Sequence, residues 1–119
     1  MKVMFIYAEG CGHCLAAKPV FQELKDAHDD LIEFEAAEIS TVQPLYEKHA
    51  PRNDDGTPKY IIPTFYVFDE DEATPDDPSG FVGGFEGGNP DEIRAVVSAL
   101  ADHAQARWEE KNVVYVSKK

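Results

Sequence analysis

The sequence predicts an α/β fold with elements in the order β-α-β-α-β-β-α, one central mixed sheet carrying helices on both faces. Three observations carry this expectation. "KVMFIY" (residues 2–7) is a continuous apolar run, the pattern of a strand buried on both faces. Helical and strand periodicities then alternate, which predicts a βαβ unit whose two strands lie parallel through a right-handed crossover. Further on, "TFYVF" (64–68) and "FVGGFEGG" (81–88) follow one another with no helical pattern between them, so they read as a hairpin, and a long helix closes the chain.

Each element has its own local signals. Leu15, Val20, Phe21 and Leu24 recur at helical spacing from Gly12 to about His28, with Pro19 inside the helix. Residues 31–39 alternate Ile32, Phe34 and Ala36 with Glu33, Glu35 and Ala37, the period of a strand. Ser40 and Gln43 stand at capping-box spacing and Pro44 falls in the first turn, predicting a short second helix over "STVQPLYEKHA". "PRNDDGTPKY" reads as loop. The β-branched and aromatic residues of "TFYVF" form the strongest strand signal, and Pro63 stands directly before them. After the acidic, turn-rich "DEDEATPDDPSG", Asn89 as cap, Pro90 at the first helical position and Glu92 three after the cap open the last helix. Residues 1–111 are expected to form one domain, with 112–119 a tail or a late edge strand.

Charge narrows the functional classes. The 119 residues carry 23 Asp and Glu against 11 Lys and Arg, a formal net charge of -12. Affinity for a phosphate backbone comes mainly from positive charge, so a nucleic-acid partner is not expected. No run approaches the roughly 20 apolar residues of a membrane-spanning helix. A monomer is expected. No basic leader with a small-residue cleavage site precedes the cysteines, which predicts a cytoplasmic protein.

The chemistry sits in "EGCGHCLAAKP" (9–19), which holds both cysteines of the chain, Cys11 and Cys14. Such a pair can be a staple, half a metal site or a redox catalyst. A structural zinc site needs four ligands, and His13, His28, His49 and His103 are scattered singly, so no metal is expected. The redox reading fits the placement. A thiol at a helix N-terminus meets free backbone N–H groups and the positive end of the helix dipole, both of which favour thiolate. Cys11 is therefore the expected nucleophile, and Cys14, one turn into the helix, the residue that resolves the mixed disulfide. His13 lies between them, where a protonated imidazole stabilises the Cys11 thiolate.

These residues resemble a family. "FIYAEGCGHCLAAKPVFQEL" (5–24) is similar to the active-site segment of thioredoxin-fold thiol-disulfide oxidoreductases, with its proline five residues past the second cysteine, here Pro19. "IIPTFYVF" (61–68) resembles their second signature. The resemblance implies that Pro63 follows a cis peptide bond, faces the cysteine pair, and together with Ile62 binds extended substrate backbone. The Gly12-His13 dipeptide is similar to that of protein disulfide isomerases. The short element list, lacking the additional first strand and helix of thioredoxins, is more like the minimal glutaredoxin arrangement.

The resemblance also marks departures and alternatives. Phe5 stands where thioredoxins and disulfide isomerases carry a buried acid, and Gly10 where thioredoxins commonly have Trp. Glu38, in phase with Ile32 and Phe34, is the candidate to compensate by taking the proton of Cys14. Gly83 and Gly84 are candidates for a glutathione carboxylate site. The function implied is electron exchange with protein disulfide substrates, with a reductase or glutathione recycling the pair and no metal or organic cofactor in the chemistry. The alternatives are a glutathione-dependent glutaredoxin and a non-catalytic interaction module on the same fold.

Overall fold

The computed structural model describes residues 1–87 and 89–117. Its elements are β1 (Lys2–Tyr7), α1 (Gly12–His28), β2 (Glu33–Glu38), a 3-10 turn (Ile39–Thr41), α2 (Gln43–His49), β3 (Thr64–Phe68), a second 3-10 turn (Glu70–Glu72), β4 (Phe81–Glu86) and α3 (Pro90–Ser117). The sheet order is β2-β1-β3-β4, with β1 and β3 in the centre. β1 and β2 run parallel, from Lys2 opposite Glu33 to Tyr7 opposite Glu38, while β3 is antiparallel to both β1 and β4. The mixed sheet and the expected order of strands and helices are observed.

The all-apolar central strands are explained by a core on each face. Residues alternate sides along a strand, so Val3 and Phe5 of β1 join Phe65 and Val67 of β3 under α1 and α3, while Met4 and Ile6 join Tyr66 and Phe68 under α2. Phe5 and Phe65, with no exposed surface, stack at 5.0 Å between ring centres, and Phe21 of α1 lies 5.2 Å from Phe5. Ile62, just before β3, packs against both clusters.

Three details differ from the sequence reading. In β2 it is Ala37 that is buried, under α2, whereas Ala36 is exposed. A sheet covered on both faces offers two places for an apolar residue, and this edge strand uses one on each side. Second, Ser40 does not cap α2. Val42 holds the cap position without a side-chain bond, and Ser40 belongs to the 3-10 turn that intervenes. Third, residues 112–117 continue α3 instead of forming a tail or edge strand, and 118–119 lie outside the described residues. The opening of α3 is as expected: Asn89 Oδ1 accepts from the amides of Asp91 at 2.9 Å and Glu92 at 3.3 Å.

α3 is tied to the far end of β3. Arg107 bonds Asp69 and Asp71, and Asp69, 5% exposed, also accepts from the amide of Asp71 at 3.0 Å. Burial pushes the Asp69 carboxyl up, but the Asp71 amide and the Arg107 guanidinium outweigh it and hold the group below its ordinary value.

Candidate active site

β1 delivers the chain through a turn at Gly10 (φ +75°) to the N-terminus of α1. Cys11 is the N-cap residue: its backbone is extended, and its sulfur accepts from the amide of Cys14 at 3.1 Å. Its carbonyl accepts from the amide of Leu15 at 3.1 Å. Cysteine thus takes the place usually held by Ser, Thr, Asp or Asn, with sulfur as acceptor for an orphan helix donor. Cys11 and Cys14 form a disulfide, with Cα atoms 5.2 Å apart. Their exposures differ. Cys11 is half-buried, whereas Cys14, 1% exposed, belongs to the first core.

Opposite the cysteines lies the segment before β3. The Ile62–Pro63 bond is cis, Pro63 is fully buried, and the Ile62 carbonyl oxygen lies 3.9 Å from the Cys11 sulfur. Of the eight residues singled out from sequence, Cys11, Cys14, Ile62 and Pro63 are therefore brought together, and His13 stands exposed beside them in the first turn of α1.

Glu38 and the glycine pair are placed otherwise. Glu38 caps the 3-10 turn, its carboxylate accepting from the amide of Ser40 at 3.0 Å and from the Ser40 hydroxyl. It is partly exposed and directed onto its own chain, so it is not the buried acid the phase of β2 suggested. The chain turns out of the strand at this residue, and a strand-end carboxylate finds the free amides there first. Gly83 and Gly84 are interior positions of β4, opposite Val67 and Tyr66. A Cβ at Gly84 would lie 2.9 Å from both the Phe65 carbonyl oxygen and the Tyr66 ring, so its role is to let β4 pass close to β3. The glycine that reaches the site is Gly87, whose amide donates to the Pro63 carbonyl at 3.0 Å with φ at +110°. The "GG" doublet at 87–88 carried that signal as well as the doublet at 83–84 did.

Among the described residues, no other acid is buried near Cys14. The buried polar or charged side chains among the described residues are Thr64 and Asp69, and Asp69 lies at the opposite end of β3, roughly 17 Å along the strand from Thr64. No group of three His, Cys, Asp or Glu side chains among the described residues is arranged to hold a metal ion.

Solved structures share this fold. Mitochondrial thioredoxin 3 of Saccharomyces cerevisiae superposes with a TM-score of 0.60 over 82% of this chain and 76% of its own, at 18% identity. Plasmodium falciparum thioredoxin gives 0.60 over 84% and 80%, at 19% identity. The germline-specific thioredoxin Deadhead of Drosophila melanogaster gives 0.64 over 83% and 79%, at 16% identity. The chain has the thioredoxin fold. No protein-family model matches the sequence, and no curated protein matches it. Within the thioredoxin fold, β1, the N-terminus of α1 and the turn into β3 are the elements that converge on the Cys11–Cys14 disulfide.

Proposed function

We propose that the chain is a thiol-disulfide oxidoreductase that exchanges electrons with protein disulfides through Cys11 and Cys14. The observation that carries the reading is the position of the disulfide: at a helix N-terminus, with the outer sulfur beside the Ile62 carbonyl and the inner one in the core. In the reduced state the Cys14 amide and the helix dipole favour thiolate at Cys11 over thiol. The Cys11 thiolate attacks one sulfur of a substrate disulfide. A Cys11–substrate bond forms, the substrate S–S bond breaks, and the departing thiolate takes a proton from solvent. Cys14, as thiolate, then attacks the Cys11 sulfur and releases the second substrate thiolate. Two electrons have passed to the substrate, and the Cys11–Cys14 disulfide remains. The reverse sequence oxidises a substrate dithiol.

Burial of Cys14 among apolar residues disfavours its thiolate, and among the described residues no buried acid adjoins it, so its proton passes to solvent. The second step is therefore the slow one, and the mixed disulfide persists long enough to commit the substrate. A reductase or glutathione returns the pair to the dithiol. The proposed compartment is the cytoplasm, because both cysteines of the chain are spent on this one pair and none on a separate structural disulfide.

Insulin reduction in the presence of dithiothreitol tests the reading. The wild type should accelerate it, Cys11→Ser should abolish the effect, and Cys14→Ser, reduced and then freed of dithiothreitol, should form a covalent complex with insulin that added dithiothreitol releases. An inactive wild type refutes the proposal. Turnover by Cys14→Ser with a glutathione mixed disulfide favours the glutaredoxin alternative.

A further inference from the structure

Two hydroxyls hold the segment that presents Ile62 and Pro63: that of Thr64, which follows it in the chain and donates to the Ile61 carbonyl, and that of Tyr46, which reaches it from α2. Tyr46 of α2 has no exposed surface, and its phenol oxygen lies between two backbone groups, donating to the Lys59 carbonyl at 2.7 Å and accepting from the Ile61 amide at 2.8 Å. Tyr46 is itself fixed from two sides. The Tyr60 ring stacks on it at 5.5 Å, with the Tyr60 hydroxyl on the Glu47 carboxylate. On the other side Tyr66 stacks at 5.8 Å, and its hydroxyl donates to the Tyr46 carbonyl at 2.8 Å. Burial raises the Tyr66 hydroxyl to about 12, so it remains a donor at any working pH.

The residue bound by this hydroxyl is the immediate neighbour of Ile62. At its other end the loop is closed by the Lys59 amide on the Pro51 carbonyl at 2.8 Å, within a small hairpin whose bridge pairs Arg52 with Pro58. Between that closure and Pro63, the Tyr46 hydroxyl is the group that ties the extended backbone to α2. We propose that Tyr46 is a positioning residue for polypeptide substrates: its hydroxyl sets the backbone of residues 59–61 and so holds the Ile62 peptide groups in register with the Cys11 sulfur. This inference rests on the oxidoreductase reading above and adds the device that orients an extended substrate chain. A small disulfide without a peptide backbone does not use that edge, so its reaction at Cys11 is independent of Tyr46.

Tyr46→Phe separates the hydroxyl from the ring, because the stack and the core packing are retained while both hydrogen bonds are lost. The expected result is a KM for insulin raised roughly tenfold, the effect of losing about one hydrogen bond of ordering. The rate with 5,5′-dithiobis(2-nitrobenzoate) and the reduction potential should be unchanged. Equal KM values, or parallel losses with both disulfides, overturn the positioning role. Should Tyr46→Phe fail to fold, amide exchange of the wild type decides: a protected Ile61 amide supports the role, and free exchange there overturns it. A wild type inert toward both disulfides sinks the oxidoreductase reading and this inference with it, whereas an active wild type matched by Tyr46→Phe sinks this inference alone.

Discussion

The Cys11 sulfur lies 3.9 Å from the carbonyl oxygen of Ile62, across a sequence separation of 51 residues. In the disulfide that sulfur carries no proton, so the contact is one of packing. After reduction the carbonyl can accept from a Cys11 thiol but repels a thiolate, opposing the Cys14 amide 3.1 Å away on the other side. The balance falls to the nearer group: the Cys14 amide and the helix dipole, not the Ile62 carbonyl, set how readily the sulfur ionises.

His13 shifts that balance further. It is exposed two residues from Cys11, and an imidazolium there stabilises the reduced pair. His13→Gln is expected to make the reduction potential more negative by on the order of 30 mV, a tenfold change in the exchange constant. Equilibration with a glutathione redox buffer measures it. A potential that stays put or rises removes His13 from the mechanism.

Gly87 holds the Pro63 carbonyl from a backbone conformation that residues with a Cβ rarely adopt. No atom crowds the position, so the cost of a side chain there is conformational. Gly87→Ala should lower stability by about 1–3 kcal/mol in urea denaturation and slow insulin reduction, because the substrate-facing turn loses its tie to β4. An unaltered urea midpoint contradicts this.

Asp69 gives a pH dependence. A carboxyl held below its ordinary value of 3.8 takes up its proton later than in the unfolded chain. The stability it contributes is therefore complete above about pH 4 and is lost as acid titrates the folded group. Asp69→Asn keeps an oxygen for the Asp71 amide but loses the charged bond to Arg107, at a cost of about 2 kcal/mol at pH 7. Thermal unfolding should show the difference from wild type narrowing as the pH falls from 7 to about 3. A gap of equal size at both pH values means that the Arg107 ion pair is not what stabilises the site.

Phe5 occupies, with no exposed surface, a position packed against Phe21, Phe65 and Tyr7. Phe5→Ala should cost about 3–5 kcal/mol, enough to threaten the fold of a domain this size. Denaturant titration of the oxidised protein reports it, and a loss under about 1 kcal/mol would mean that the layer under α1 rearranges to fill the space.

What was legible in the sequence followed from periodicity and from residues with one dominant use. Phe5, Phe65 and the Val20, Phe21 and Leu24 stripe of α1 could be read because a strand and an amphipathic helix impose different spacings on buried residues, whereas Leu15, read with that stripe, is 65% exposed. Cys11 and Cys14 could be read because a helix start favours thiolate and the chain offers no second ligand pair for a metal, and Pro63 could be read through the resemblance of "IIPTFYVF" to a known signature. Glu38 and the glycines could not. Whether a strand-end carboxylate turns inward or onto a neighbouring amide depends on where the chain bends, and the 3-10 turn at Ile39–Thr41 left no periodic trace. Both glycine doublets satisfy the same local pattern, and the β3–β4 register alone distinguishes the pair inside the ladder from Gly87 beyond it. Tyr46 reads from the sequence as a core or helix-packing residue, which it is, and its positioning role is not legible there because the tertiary fold alone supplies both partners of its hydroxyl.

Ile62 packs against both cores while its carbonyl faces the reactive sulfur. The two layers on either side of the sheet are thereby mechanically stitched at the place where a client protein would dock. A packing lesion in either layer, far from any sulfur, therefore reaches that docking edge, and turnover of a protein client becomes a gauge of the integrity of both layers at once.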